Sequence, residues 1–400
     1  MEFIKNYFIK IFNKINTIVD FLSWYYQCKR LKKINYPLSD NKILINNLHS
    51  LNSTAKTESL YSLCLRNKGY QIYVLTYKKN FFNELIYKIN GKTNFIYFED
   101  YKKNNTLDFK KEAIKILSEL KTYERICDYK INSILIGRNA VSLALRELRV
   151  GRLDLKNQKH KIKLIESICK SLESNYISKK ILKDIKPSKA IFVEKGYSPS
   201  GELFDNCCSL NIDAIQWTAA PIDGHYLYKK YNVHNKTNHI LSLGENTKTY
   251  IKNMKFTKSH NEQVTKKIKS FYQSGAWFNR QNLHVDKPIL SKEKTKKLLK
   301  INNNKKIAVI FSHIFYDATL FFGESLFIDY RTWLLETIKL AIENENLNWL
   351  IKVHPVNIWR SKMDNKPIEQ LEEELIRREI GKLPKHVKII KADSPINTFS

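Results

Sequence analysis

Two histidines follow apolar runs in the last hundred residues, and both could bind a phosphate group. The run Trp-Leu-Ile-Lys-Val ends at His354-Pro355, and a second run ends at Ser312-His313. Proline donates no N–H and holds the preceding residue extended, so Pro355 ends the strand and fixes His354 at its carboxyl end. A histidine placed there can donate a hydrogen bond to an anion. The alternative for each is a histidine in a surface turn or a packed loop.

Further candidates follow the other predicted strands, because ligands of open α/β sheets bind at the carboxyl ends of strands. In the second half of the chain, candidates for binding a ligand are Ser312, Asp317, His354, Pro355, Asn357 and Ser394, and His313 is a candidate for catalysis. In the first half, the candidates are Gly137, Arg138, Ser198, Gly201, Glu202 and Asp223.

Gly137 and Arg138 are predicted at a junction between a strand, residues 131–137, and a helix. Glycine permits close backbone approach, a helix N-terminus favours an anion, and arginine adds a bidentate clamp. The alternative is a turn glycine beside a surface arginine. In "KGYSPSGEL", Ser198 and Gly201 precede a helix, and Glu202 either caps that helix or acts as a general base.

These residues need a sheet to position them, and the sequence predicts one. Apolar runs alternate with amphipathic segments, which indicates parallel α/β layers. The predicted strands are 42–49, 70–77, 94–100, 131–137, 189–196, 213–219, 306–313, 348–355 and 386–390. The predicted helices are 57–69, 106–126 with Asp108 as a cap, one directly after Gly137, 330–345 and 368–381.

A length of 400 residues with 43% hydrophobic content suits two domains. We predict a helical segment at 1–40, an N-terminal Rossmann-like domain at 41–255, a polar linker at 256–304 and a C-terminal Rossmann-like domain at 305–400. The sequence stops just after the third strand of the last domain, so we expect part of that domain to be missing.

The net charge of +30 favours anionic partners, but the lysines are scattered and no nucleic-acid-binding motif accompanies them. The six cysteines form no C-x-x-C pair, which favours a reducing cytoplasm. The N-terminus lacks the features of a signal peptide. There, Phe3, Ile4, Phe8, Ile11, Phe12 and Ile15 recur at helical spacing between lysines. This helix either lies on a membrane surface or packs on its own domain.

Several enzyme classes lose support because their motifs are absent from the sequence. It contains no G-x-x-x-x-G-K-[ST], no G-x-G-x-x-G and no D-x-D. P-loop ATP chemistry, dinucleotide oxidoreduction and metal-dependent transfer are therefore not expected. We predict no bound metal and no cofactor.

The stretches "FSHIFYDATLFFGESLFIDYRTWLLETI", "NWLIKVHPVNIW" and "GKLPKHVKII" resemble the bacterial capsule and surface polysaccharide glycosyltransferases. The resemblance covers about residues 306–400, is fainter over 130–245 and does not reach the first 40 residues. It implies a GT-B-like α/β fold, in which two Rossmann-like domains face a cleft. The N-terminal domain would bind the acceptor, and the C-terminal domain would bind a nucleotide-sugar donor.

Related sialyl- and Kdo-transferases suggest roles for single residues. The resemblance assigns phosphate contact to His354 and Pro355, and a Ser/Thr phosphate site to Ser394, or to Thr398 and Ser400. The base of these enzymes lies in an acidic-acidic-Gly motif. Here only Ile222-Asp223-Gly224 is similar, and it lacks the first acid.

The sequence therefore favours a cytoplasmic glycosyltransferase of surface polysaccharide assembly, with peripheral contact to the inner membrane face. It would use a nucleotide-sugar, with a CMP-linked donor as one option, and a glycan or lipid-linked acceptor. Two alternatives stay open: a CDP-polyol phosphotransferase of the teichoic-acid type, and a non-catalytic glycan-binding export accessory.

Overall fold

Runs rich in isoleucine, valine and leucine form two separate β-sheets in the computed structural model of this chain. The structure describes residues 2–31, 39–102, 108–220, 224–274, 287–302, 304–320, 325–356, 358, 371–397 and 400, with the backbone alone for residues 2–14, 272, 274 and 371.

The first sheet has the strand order β3-β2-β1-β4-β5-β6 and is parallel except for its last pair. Its strands are β1 (Lys42–Asn46), β2 (Gln71–Thr76), β3 (Asn94–Tyr97), β4 (Lys189–Phe192), β5 (Asp213–Ala219) and β6 (Tyr226–Tyr231). The chain builds from β1 to β3 on one side and then resumes at β4 on the other side of β1. The order therefore reverses between β1 and β4, which is where open α/β sheets bind ligands.

Helices precede, connect and follow these strands, and some of them cover both faces of the sheet. They are α1 (Glu2–Cys28), α2 (Asn52–Arg66), α3 (Phe81–Ile89), α4 (Phe109–Glu119), α5 (Tyr123–Asp128), α6 (Ile136–Leu148), α7 (Gln158–Ile185), α8 (Ser200–Ser209), α9 (Glu245–Asn253) and α10 (Lys258–Ser274). Alternate side chains of a strand point to opposite faces. Ile43 and Ile45 accordingly join the core that contains α2 and α3, whereas Leu44 joins the core that contains α7 and α8.

The second sheet is parallel with the order β7-β8-β9. Its elements are α11 (Lys292–Leu298), β7 (Lys306–Phe311), α12 (Tyr330–Glu343), β8 (Leu347–Lys352), α13 (Leu371–Glu379) and β9 (Val387–Ile390). Leu334 and Ile338 of α12 and Leu375 of α13 pack with Ile351 of β8 in one core. We call this the second unit, and the first sheet with α1–α8 the first unit.

The two units share an apolar core. Ile314 and Tyr316 after β7 and Val356 after β8 pack among residues of α5, α6 and α7. The fold class predicted from the sequence, α/β with two Rossmann-like units, is confirmed. The domain boundaries given above stay predictions.

Two predicted elements were wrong. Residues 131–137 form no strand: Ile131 and Ile134 make an isolated bridge, and α6 begins at Ile136. A short apolar run can be a buried helix as easily as a buried strand. The single helix predicted over 106–126 is two helices, α4 and α5, although Asp108 does cap the first by accepting from the Lys111 N–H at 3.0 Å.

The sequence patterns also missed α7, and the polar stretch 256–304 contains α10 and α11. Helix α7 is buried on several sides, and Ser167, Ser171, Ser174 and Ser178 are among its buried residues. Buried serines interrupt the apolar periodicity by which helices are recognised.

Candidate functional site at the carboxyl edges of the sheets

Ser312 joins the ends of β7 and β8. Its N–H donates to the Lys352 carbonyl oxygen at 3.0 Å, and its Oγ accepts the N–H of His354 at 3.0 Å. The side chain is buried. The structure therefore brings together two residues that the sequence placed at the ends of separate strands.

His354 lies two residues after β8, in a turn that fixes the state of its ring. Nδ1 accepts the N–H of Val356 at 3.1 Å. A neutral imidazole that accepts at Nδ1 carries its proton on Nε2, so Nε2 is the donor of this ring. Pro355 between the two residues has no N–H, which keeps the turn from continuing the strand.

Glu372 of α13 belongs to this edge, although the sequence did not single it out. Its Oε1 accepts from the Ser312 hydroxyl at 3.4 Å. Burial raises the pKa of Glu372 to about 7. Three glutamates in succession in a helical first turn usually face solvent, so only the packing of α13 identifies this one.

Two lysines add positive charge near the ends of β8 and β9. Lys352, the last residue of β8, is buried and donates to the Ile396 carbonyl oxygen at 3.0 Å. Burial, with a smaller effect of Lys287, lowers the pKa of Lys352 to about 8. Lys287 donates to the carbonyl oxygen of Ser394 at 2.8 Å, and the hydroxyl of Ser394 accepts the Ile396 N–H at 3.2 Å.

His313 and Asp317 lie in the loop after β7. The His313 ring stacks on Tyr330 with 3.9 Å between ring centroids, and its Nδ1 lies 3.1 Å from the Ile314 carbonyl oxygen. These contacts are those expected of a histidine in a packed loop, and the catalytic role of His313 stays a prediction. The Asp317 N–H donates to the same carbonyl oxygen at 3.2 Å, which tightens the loop.

The loops after β4 and β7 meet, so the carboxyl edges of the two sheets approach each other. The Tyr197 hydroxyl accepts the N–H of Ala318 at 2.7 Å. The Arg146 guanidinium lies 4.5 Å from the centre of the Tyr197 ring and 3.7 Å from the carboxylate of Glu194. Burial acts to lower the pKa of Arg146, but Glu194, Tyr197 and Asp317 outweigh it and raise that pKa.

Glu202 is fully enclosed, with 0% of its surface exposed. One carboxylate oxygen accepts from Ser198 at 2.7 Å and from Ser171. Burial raises its pKa to about 7. It lies in the first turn of α8, whose N-cap residue is Pro199, and its carboxylate contacts the two serine hydroxyls. Gly201 beside it permits contact with Asn139, whose amide a Cβ would overlap.

Gly137 lies in the first turn of α6 and serves close packing. A Cβ there would overlap the carbonyl oxygen of Ile126, and its N–H already donates to Tyr129 at 2.9 Å. Ahead of the same turn, the Leu135 N–H donates to the carboxylate of Asp205 at 2.7 Å. The anion expected at this helix terminus is thus a side chain of the protein. Arg138, which follows, is half-buried.

Three predicted site residues, Asp223, Asn357 and Thr398, lie outside the described residues. Ser400 accepts the Leu290 N–H at 2.9 Å. The positions of the other candidates do not test their assigned roles.

A groove of about 700 Å³ lies between the two units. Arg152 and His160 line it from the first unit, and Phe315, Arg331 and Arg378 from the second. Its volume is in the range of pockets that hold small ligands, and its charged lining suits a polar one.

No family model and no curated protein matches this sequence. Among solved structures, the chain is similar to the UDP-GlcNAc 2-epimerase of Neisseria meningitidis bound to UDP-GlcNAc. The identity is 9%, the match covers 88% of this chain and 71% of that chain, and the TM-score is 0.21. At that score, nothing about this chain follows from the match.

Proposed function

We propose that this chain is a glycosyltransferase, which moves a sugar from a nucleotide-sugar donor to a surface polysaccharide or lipid-linked acceptor. The observation that carries the proposal is the second sheet's carboxyl edge, where Ser312 holds His354 by its backbone N–H at 3.0 Å. Open α/β sheets bind nucleotides at this edge. The His-Pro pair is the most specific feature of the resemblance to polysaccharide glycosyltransferases.

In this proposal, the carboxyl edge of the second sheet stabilises the phosphate of the departing nucleotide. The Nε2–H of His354 would donate to a phosphate oxygen. Lys352 and Lys287 near the ends of β8 and β9 favour the same anion. A phosphate bound at this edge would accept hydrogen bonds from side chains whose positions are fixed by the fold.

The acceptor hydroxyl needs a base, and two described carboxylates, Glu194 and Glu202, follow β4 in the first unit. Asp223 and Glu202 were the candidates from sequence, and Glu202 would have to leave its serine partners to reach an acceptor. Glu194 is the more open of the described carboxylates, with 39% of its side chain exposed beside Arg146. We assign the base to one of these three carboxylates.

The proposal includes a cytoplasmic location and peripheral contact with the inner face of the membrane, where lipid-linked acceptors reside. The groove between the units, with charged side chains from both, would take the polar acceptor. Transfer would then occur where the loops after β4 and β7 meet.

The test is the thermal unfolding of the chain with CMP, CDP, UDP or GDP. A nucleotide at 100 times its dissociation constant stabilises the folded state by about 2.7 kcal/mol. We expect one nucleotide to raise the melting temperature of the wild type and not that of His354→Ala. His234→Ala, which changes an exposed histidine of a distant loop, is the matched control and should keep the response.

If the wild type and His354→Ala bind a nucleotide equally strongly, His354 is not part of the donor site. If no nucleotide or nucleotide-sugar stabilises the wild type, the transferase proposal fails. Transfer of phosphate together with a polyol from a CDP donor would replace sugar transfer by polyol-phosphate transfer.

A further inference from the structure

Helix α1 has two apolar faces on opposite sides. With 3.6 residues per turn, Phe21, Trp24 and Cys28 fall on one side. Phe21 and Trp24 pack against the core of the first unit, and Cys28 is buried. The opposite side carries five apolar residues with 47% to 65% of their surface exposed: Ile15, Ile18, Val19, Leu22 and Tyr26. We call these five residues the outer stripe.

The sequence left two alternatives for this helix, a membrane surface or its own domain. Phe21 and Trp24 pack on the domain, whereas the side chains of Phe3, Ile4, Phe8, Ile11 and Phe12 lie outside the described residues. The ion pair of Asp20 with Lys56 of α2, at 2.6 Å, holds this part of α1 on the domain, and the Lys56 ammonium lies 5.5 Å from the centre of the Trp24 ring. The inner face is therefore satisfied without a membrane, and the outer stripe is a separate surface.

One contact of α1 places the outer stripe near the carboxyl edge of the first sheet. Helix α2 follows β1, so it begins at that edge, and Lys56 lies in its second turn. Asp20 pairs with Lys56 and therefore lies beside the start of α2. Val19 and Leu22 of the outer stripe are within two residues of Asp20 in the same helix.

Exposed apolar side chains also begin the helices that follow β1 and β2 at the same edge. Leu51 precedes α2, and Phe81 and Phe82 begin α3, which packs against α1. Large apolar side chains that are exposed together on one side of a protein often mark an interaction site.

We propose that the outer stripe of α1 lies in the interface of an anionic lipid bilayer and turns the carboxyl edge of the first sheet towards that bilayer. Interfacial helices combine an apolar face with basic surroundings. The sequence supplies Lys5, Lys10 and Lys14 before the stripe and Lys29 and Arg30 after it, in a chain of net charge +30. Lysine and arginine side chains near an anionic lipid surface are attracted to it.

The helix lies on the bilayer and does not cross it. Of the helices within the described ranges, none combines the length and the apolar character needed to span a membrane. The partner is a lipid surface because the outer stripe is bordered by positive charge, which a second copy of this basic chain would repel.

This placement of the outer stripe indicates the class of acceptor, and this inference rests on the proposed function. An edge held against the bilayer can reach a sugar hydroxyl a short distance from the lipid headgroups. We infer that the acceptor is a glycan attached to a membrane lipid.

The first experiment measures binding of the full chain to vesicles of phosphatidylcholine, with and without phosphatidylglycerol, by co-sedimentation at low salt. We expect binding to the anionic vesicles and at least tenfold weaker binding by the double variant Val19→Asp, Leu22→Asp. The matched control is Leu340→Asp on α12, whose side chain is 64% exposed in the second unit and which should bind as the wild type does.

Failure of the wild type to bind anionic vesicles would overturn the proposal, and so would equal binding by the wild type and the double variant. Sedimentation velocity of the same proteins tests whether a second copy of the chain covers the outer stripe. A wild-type dimer that the double variant converts to a monomer, without vesicle binding, would assign the stripe to a second copy.

A second experiment separates this inference from the proposed function. Sugar transfer is measured to a short soluble glycan and to the same glycan on a lipid in vesicles. The double variant should keep the first activity and lose most of the second. Loss of both activities equally would overturn the acceptor assignment, and absence of transfer by the wild type would overturn the proposed function while vesicle binding still decides the role of the stripe.

Discussion

The guanidinium of Arg152 lies 3.3 Å from the carboxylate of Asp329, and this ion pair joins the two units of the chain. The Asp329 side chain is 0% exposed, because it caps α12 by accepting the Thr332 N–H at 2.6 Å. Arg152 also stacks on Tyr123, 4.6 Å from the ring centre, and pairs with Glu124. One arginine of the first unit thus compensates a buried charge of the second.

Replacing Arg152 with methionine should lower the free energy of unfolding by about 2 kcal/mol. The substitution keeps a long apolar stem but leaves the buried Asp329 carboxylate without its counter-charge, and the partial exposure of Arg152 limits the loss. Urea denaturation measures it. Arg378→Met is the control, because that arginine is 61% exposed and its ion pair should contribute about 0.5 kcal/mol or less. Equal losses in the two variants would contradict this assignment.

Gly137→Ala tests whether this glycine serves packing or ligand binding. Its Cβ would overlap the backbone oxygen of Ile126, so we expect a loss of about 3 kcal/mol in the free energy of unfolding. Gly244→Ala is the matched control, because no atom lies within 4 Å of its added Cβ. A Gly137→Ala protein that is as stable as the wild type but no longer responds to nucleotide would support the anion-binding alternative.

Glu202→Gln should change how stability depends on pH. Burial raises the pKa of Glu202 from 4.5 to about 7, so its favourable contribution is complete below pH 4.5 and is lost as the pH rises through 7. Glutamine cannot ionise and still accepts from Ser198. At pH 8 the variant should therefore unfold with a free energy about 2 kcal/mol above that of the wild type, and near pH 4.5 the two should agree.

The measurement is urea denaturation at both pH values. Glu166→Gln, an exposed glutamate of α7, is the control and should follow the wild type at each pH. A Glu202→Gln variant that is no more stable than the wild type at pH 8 would show that the carboxylate is well solvated or well paired when charged.

The sequence by itself determined the features that depend on neighbouring residues. Apolar runs predicted β1, β2, β7 and β8, and Asp108 was identified as a helix cap. Strand periodicity and helix capping are set over a few residues, so a single sequence contains them. Pro355 likewise fixed the place of His354 at the end of a strand, because its effect is on the residue next to it.

Only the tertiary structure decided the features that join residues far apart in the chain. Ser312 and Glu372 are 60 residues apart and Leu135 and Asp205 are 70 apart, and no local pattern pairs them. The residues 131–137 are locally compatible with a strand. In the structure, the last two of them begin α6, which packs against α5 and α7. Tertiary packing also decides which carboxylates are buried and which side of α1 is exposed. Both depend on the apolar surfaces against which each element packs, and those surfaces form only when the chain folds.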